Sequence, residues 1–450
     1  MSPLDEGPSA TEVSTEKNKS ENPAQTTDRR DFLKVTGVGT ALAGLAGCLG
    51  LGGGSSDTIS IGAIFPTTGG LAALGQAEFQ GIELRVQELN ENGGIAGNEL
   101  ELQNKDVATP EAAQSAILEY SDQGVDMIVG TTTSAVGRTA SRIANREGLV
   151  YTETGAVAQE ITSEGLDNVF RTVPSTEVYA ENVLSAVEFM AGEELDTPVE
   201  DLTWAHAHED SVYGSSVDEF LTQHNEDSVG MEKVRTSSYP ADTNDLTSVI
   251  LNMQESDPDI LLQTGYVNDT ILFWETARQQ DYTPPMPFGV GSGTLNDSLK
   301  EALGDGIRGI PASGVNGTNT NPDFAPVEEF KSKYEGEYGN LTSWGFGLMT
   351  YSGMDIIRMI LEGAEGQTDI ESYSEAAMSL DEPIGTFPAG YGVQFDENGQ
   401  NQRALYVTSQ WQSDGEGNLE TYHMFPEEGQ PEGSDIEYIP RPSWSEMSGN

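Results

Sequence analysis

Residues 58–94, "TISIGAIFPTTGGLAALGQAEFQGIELRVQELNENGG", change their hydrophobic period once, and that change decides the fold. "TISIGAIF" is apolar and β-branched and stops at Pro66, which reads as a strand. From Gln76 to Asn92, Phe79, Ile82, Val86 and Leu89 recur three and four residues apart, the spacing of one helix face. The "NGG" at 92–94 ends that helix. Outward from here the alternation repeats. "ELELQNKD" (99–106) predicts a strand, "PEAAQSAILEYSDQG" (110–124) a helix with proline in its first turn, and "VDMIVG" (125–130) a strand. Val136 to Arg146 predicts a helix and "GLVYTET" (148–154) another strand.

A second series begins near Ser175. Helices are predicted at Val178–Met190, Tyr213–His224, Leu246–Gln254 and Asp269–Gln279. Between them fall the strands "DLTWAHA" (201–207), "EKVRTSSYP" (232–240), "DILLQTG" (259–265) and "MPFGVG" (286–291). Strand–helix alternation implies parallel sheet with right-handed crossovers. Two such series predict an α/β protein of two doubly wound, Rossmann-like lobes. Ligands in these sheets bind beyond the carboxyl ends of the strands. Residues 426–450, rich in Glu, Pro and Gly, predict a flexible tail.

Composition narrows the function. The 450 residues carry 21 Lys and Arg against 74 Asp and Glu, a formal charge of −53. A phosphate backbone would be repelled, so nucleic acid is not an expected partner. The acid is spread through well-patterned segments, which argues against an acidic disordered chain. It fits a halophilic source, where molar salt shortens the Debye length to about 3 Å and screens self-repulsion.

The N-terminus reads as an address. Residues 1–28 are polar and predict disorder. Arg29-Arg30 precede a short, weakly apolar run from Val35 to Leu51, which resembles a twin-arginine export signal. Leu45-Ala46-Gly47-Cys48 resembles a lipobox, with Cys48, the only cysteine, as the lipidated residue. "GLGGGSSD" (50–57) then reads as a tether. The alternative is an uncleaved anchor helix; either places residues 57 onward outside the cell, held to its membrane.

No Gly-Lys dipeptide for a phosphate loop and no G-x-S-x-G elbow is present. His206-Ala-His208-Glu209-Asp210 is the one metal-like cluster, and a satisfied strand end is the simpler reading, so no metal or other cofactor is expected. "VGTTTSAVG" (129–137) follows a strand and opens a helix, placing Thr133, Ser134 and Ala135 where hydroxyls and N–H groups meet an anion. Ordinary N-capping is the plainer alternative. Tyr213 and Tyr266 also follow strands, at the same end.

Several stretches carry a family resemblance, in collinear order. They are "IGAIFPTTGGLAALGQAEFQGIELRVQELNENGGIAGNELEL" (61–102), "DMIVGTTTSAVGRTASRIANREGLVYTETGA" (126–156), "VFRTVPS" (169–175), "YPADTNDLTSVILNMQESDPDILLQTGY" (239–266) and "GVQFDENGQ" (392–400). Together they resemble the leucine/isoleucine/valine-type periplasmic binding proteins (type I), the solute-binding subunits of ABC importers, here in a haloarchaeal lipoprotein form. The resemblance implies a non-enzymatic protein with three hinge crossings near 175, 311 and 388. One lobe would comprise 57–175 plus 311–388, the other 176–310 plus 389–425. A small polar solute lies between them and is passed to an ABC permease and its ATPase.

Family positions that hold the ligand correspond to Ser134, Gly155, Ala156 and Val157, with Tyr213 and Tyr266 as aromatic walls. Two departures stand out. Val157 replaces a threonine, and Gly291 replaces the glutamate that receives the ligand ammonium. Asp269, Glu209, Asp210 or Glu153 is then expected to substitute. Amides, urea and carboxylates join branched-chain amino acids as expected ligands. A lipid-anchored sensor domain and a metal-dependent hydrolase built on His206 and His208 are the alternatives.

Overall fold

The computed structural model describes residues 58–195, 197–291, 293–314, 320–339, 343–416, 418–432 and 437–447. The export signal, the tether and the lipidation candidate Cys48 lie outside the described residues.

The first sheet contains β1 (Thr58–Phe65), β2 (Glu99–Asp106), β3 (Met127–Gly130), β4 (Val150–Glu153) and β5 (Val169–Arg171). Its order is β2-β1-β3-β4-β5 and all pairs are parallel. The crossover helices are α1 (Ala72–Glu91), α2 (Pro110–Gln123) and α3 (Ser134–Glu147). Strands inside the sheet are buried on both faces, so β3 and β4 are buried throughout, whereas the edge strand β2 is exposed at every second or third residue. Helix ends follow local chemistry. The Thr109 hydroxyl accepts the Ala112 N–H at 3.2 Å ahead of Pro110, and Gly124 closes α2 at φ +72°.

The second sheet repeats the plan. After α4 (Thr176–Glu194) come β6 (Thr203–Glu209), α5 (Val212–His224), β7 (Glu232–Tyr239), α6 (Thr247–Ser256) and β8 (Ile260–Thr264). Then follow α7 (Val267–Gln279), β9 (Met286–Val290), α8 (Asp297–Leu303) and β10 (Pro311–Gly314). Strands β7-β6-β8-β9-β10 are parallel, and the antiparallel pair β11 (Val407–Ser413) and β12 (Leu419–Phe425) extends the sheet beyond β10. Each sheet therefore reverses direction between its first and third strands, the topological switch point at which α/β folds bind ligands.

Three further helices, α9 (Val327–Tyr338), α10 (Trp344–Gly363) and α11 (Ile370–Met378), return to the first sheet. The Tyr334 hydroxyl donates to Gln80 Oε1 at 2.6 Å, and Arg85 pairs with Asp355 at 2.7 Å, tying α9 and α10 to α1. On α11, the Tyr373 hydroxyl shares a hydrogen bond with that of Thr152, at 2.9 Å. Among the described residues no helix is long and apolar enough to cross a membrane.

Three expected boundaries shift. The strand at 311–314 pairs with β9 and so belongs to the second sheet, which moves that crossing past 314. Residues 399–401 run beside β5, where Arg171 N–H donates to Gly399 O at 2.8 Å and Asn401 N–H to Arg171 O at 3.1 Å. This segment covers the open edge that a short terminal strand leaves, so the third crossing falls after 401 rather than at 388. Within the expected flexible tail, the described residues 437–447 form a strap. Trp444 is 4 % exposed and its indole N–H donates to Tyr282 O at 2.8 Å. Arg441 stacks on Trp444 at 4.2 Å from the ring centre, and Ile439 exchanges two hydrogen bonds with the Gln410 side chain, at 2.8 and 2.9 Å. One buried tryptophan outweighs the polar composition around it. The glycines at 304, 306 and 309 have dinucleotide-loop spacing, but they follow α8 rather than a strand, and Gly306 packs under the Trp444 ring.

Candidate functional site

A cavity of about 50 Å³ lies between residues of the two sheet units. At about 10–15 Å³ per water centre it has room for a few waters or a small solute, not a chain. The first unit contributes Leu74, Glu78, Thr132, Ser134, Gly155, Ala156, Val157, Phe346 and Met349. The second contributes Tyr179, Tyr213, Tyr266, Gly291, Gly314 and Tyr406.

Ser134 is the first residue of α3 and is 2 % exposed. Its Oγ accepts the Ala158 N–H at 3.2 Å, which pins the β4 loop to the helix and leaves the hydroxyl proton to a ligand oxygen. The N–H groups of the first α3 turn, which a helix leaves without intrahelical partners, add positive potential at the same spot. Thr133 is the N-cap residue and, with Ala135, stands off the cavity wall.

Glu153 is fully buried but does not reach the ligand space. Its Oε1 accepts the N–H groups of Thr131, Thr154, Gly155 and Ala156 at 2.5–3.0 Å, and its Oε2 accepts the Tyr151 and Thr131 hydroxyls at 2.5 and 3.1 Å. It therefore staples the loops after β3 and β4, and it also occupies the Gly155 and Ala156 N–H groups. The expectation that Glu153 could receive an ammonium is corrected on that ground. Glu209 falls for the same reason: its oxygens accept Ser211 N–H, Ser211 Oγ and Gly214 N–H at 2.7–2.8 Å, capping α5. Asp210 is exposed and off the wall.

The second unit presents tyrosines. Tyr213 and Tyr266 pack with tilted rings, centres 5.4 Å apart, as do Tyr179 and Tyr406 at 4.6 Å. Hydroxyls are fixed by carbonyls, Tyr213 donating to Val290 O at 3.3 Å and Tyr179 to Ser313 O at 2.9 Å. Burial pushes the phenols of Tyr179, Tyr213 and Tyr266 up, so they stay neutral. Gly291 has φ +107°, and a Cβ there would stand 2.1 Å from the Tyr213 hydroxyl. Asp269 is 2 % exposed but sits behind the wall, accepting from the Tyr239 hydroxyl at 3.1 Å. Burial pushes its carboxyl up to about 7.

Glu78, absent from the expected site, is 1 % exposed and faces the cavity. Its carboxylate accepts the Thr132 hydroxyl, and burial raises its pKa well above the usual range. The signal was present in the sequence. Leu74, Glu78 and Ile82 are four residues apart, so a charge interrupts the apolar stripe of α1. Tyr179, Phe346, Met349 and Tyr406 carry no comparable signal, because buried aromatics are ordinary core.

His206, His208 and Asp218 could offer ligand atoms within 4.8 Å of one another. Each has other partners. His206 shares hydrogen bonds with Asp218 at 2.7 Å and Thr264 at 2.8 Å, His208 with Glu209 O at 2.8 Å. The Lys233 ammonium lies 2.7 Å from Asp218 Oδ1, where a cation would have to displace it. Burial pushes His206 down to about 4, so it is neutral. Among the described wall residues there is no His, Lys, Arg or Cys, and Glu78 is the one carboxylate.

The sequence model of the family described as "Periplasmic binding protein" matches residues 58–416. Leu/Ile/Val-binding protein homolog 8 of Brucella abortus is 34% identical over 375 residues, covering 82% of this chain and 91% of that protein. Leu/Ile/Val-binding protein homolog 7 of Brucella suis is 33% identical over 365 residues, covering 80% and 90%. Among solved structures, the branched-chain amino acid transporter substrate binding protein LivJ of Streptococcus pneumoniae, in complex with isoleucine, aligns with TM-score 0.66 at 21% identity, over 82% of this chain and 100% of that one. A solute binding protein of an ABC transporter from Rhodopseudomonas palustris, in complex with 3,4-dihydroxybenzoic acid, aligns with TM-score 0.69 at 19% identity, over 86% and 99%. These structures share the fold, two parallel-dominated sheets with flanking helices.

Proposed function

We propose, for a chain that belongs to the periplasmic binding protein family, the role of solute-capturing subunit of an ABC importer. The ligand is a branched-chain amino acid or a solute of similar size. The observation that carries this reading is the cavity that Ser134, at the start of α3, lines together with tyrosines from the other sheet unit. A ligand carboxylate there receives a hydroxyl and helix N–H groups without a full counter-charge, and an apolar side chain meets Leu74, Val157, Phe346 and Met349. Contacts from both units favour the closed arrangement over the open one, so binding shifts that balance. The names of the Brucella relatives and the isoleucine of the pneumococcal neighbour support the ligand class.

The rest of the assignment is read from the N-terminal sequence. Export by the twin-arginine route and lipidation at Cys48 would hold the protein on the outer face of the membrane, beside a permease and its ATPase. Calorimetric titration of the full chain in molar KCl with leucine, isoleucine, valine, urea and acetamide tests the reading. One ligand per chain, with a raised melting point, is expected for at least one amino acid. No saturable binding in the panel contradicts it.

A further inference from the structure

We propose that Glu78 selects for an ammonium group on the ligand, so that the cavity takes α-amino acids in preference to carboxylic acids of the same shape. This rests on the capture role above and adds which unit reads the ligand's positive end.

Three glutamates, Glu78, Glu153 and Glu209, are buried among the described residues, and of these Glu78 lines the cavity. Glu153 and Glu209 are saturated by donors from their own loops, as described above. Among the described residues Glu78 receives one hydrogen bond, from the Thr132 hydroxyl to Oε2, and none to Oε1. The backbone makes room for that oxygen. A Cβ on Gly155 would stand 2.9 Å from Glu78 Oε1 and 2.1 Å from Thr131 O. No other described wall residue bears a side-chain charge at neutral pH. An unpaired carboxylate in such a place is unfavourable unless it takes up a proton or meets a cation, and its raised pKa records that conflict. A ligand ammonium resolves it.

Position 291, where the family resemblance led one to expect this carboxylate, is closed to any side chain. Its φ of +107° favours glycine, and its Cβ would strike the Tyr213 hydroxyl. The acid therefore enters from α1, on the opposite unit. With Ser134 and the α3 N-terminus also on the first unit, both ends of an α-amino acid dock on that side and the tyrosines close over its side chain. The fold itself does not make the choice, since neighbours of this architecture hold isoleucine in one case and 3,4-dihydroxybenzoic acid in another.

The test is calorimetric titration of the full chain in molar KCl at pH 7.5 with leucine and with 4-methylpentanoate, which is leucine without its amine. Wild type is expected to bind leucine at least tenfold more tightly. Glu78→Gln keeps an acceptor for Thr132; it should lose at least tenfold in leucine affinity and hold 4-methylpentanoate at least as tightly as before. Glu78→Asp should retain part of the preference, and melting curves establish that each variant is folded. Leucine binding unchanged in Glu78→Gln, or an equal loss for both ligands, overturns the proposal and leaves capture standing. Tighter binding of 4-methylpentanoate by wild type does the same. Binding of neither ligand by wild type overturns the capture reading, and this proposal with it.

Discussion

Ser134 and Asp269 show how burial assigns opposite tasks to polar groups near one cavity. The Ser134 hydroxyl is held by the Ala158 N–H, so its proton has one direction left, toward the ligand. Ser134→Ala should weaken ligand binding by about 1–2 kcal/mol, the usual range for one hydrogen bond to a charged group. Titration checks it, and unchanged affinity would remove Ser134 from the site. Among the described residues the Tyr239 hydroxyl is the side-chain donor to Asp269, with Glu209 nearby as a like charge. Burial raises its folded pKa to about 7, above the unfolded value. Its contribution is therefore fully present below about pH 4 and lost as pH rises through 7. Asp269→Asn should gain stability relative to wild type as pH goes from 4 to 8, read by urea unfolding in high salt. An offset independent of pH would show that the carboxyl is not held neutral.

At the scale of elements, the C-terminal strap carries more than its composition promises. Trp444 fills a pocket over Gly306 and donates to Tyr282 O. Trp444→Ala should cost about 3–5 kcal/mol, the range for truncating a buried aromatic; a loss under about 1 kcal/mol in denaturant unfolding would make the strap incidental. The same element marks the limit of sequence reading. Strands and helices with a clear period, such as β1, α1 and β8, were legible because one face alternates with solvent or a continuous apolar run is bounded by breakers. The three-residue β5 and the four-residue β10, "PASG", were not, because so short a stretch has no period and only its neighbours make it a strand. Helix α10 hides differently: most of its residues are buried, so no polar face marks its repeat. At the cavity, Ser134 and Tyr213 were legible from their places after strands, and Gly291 through the family resemblance. Asp269 was misplaced because sequence cannot tell which way a helix's first turn faces. Glu78 was overlooked because an acid within an apolar stripe looks like an exception to a helix rather than part of a site.

At the scale of the whole molecule, the charge of −53 acts against compaction. Its self-repulsion is long-ranged at low ionic strength and screened at molar salt, where the Debye length is about 3 Å. The melting point should rise steadily from 0.2 to 3 M KCl; one that is flat or falling would contradict a halophilic origin. Residues of both sheet units line the cavity beside Ser134, and the account's central claim is that a single solute is clamped there and released unchanged. Titration of the full chain with leucine, isoleucine and valine in molar KCl, followed by recovery of the ligand, tests that claim most directly. One site per chain for at least one of the three, with the amino acid recovered intact, is predicted. Absence of saturable binding for all three, or recovery of a chemically altered ligand, would contradict it.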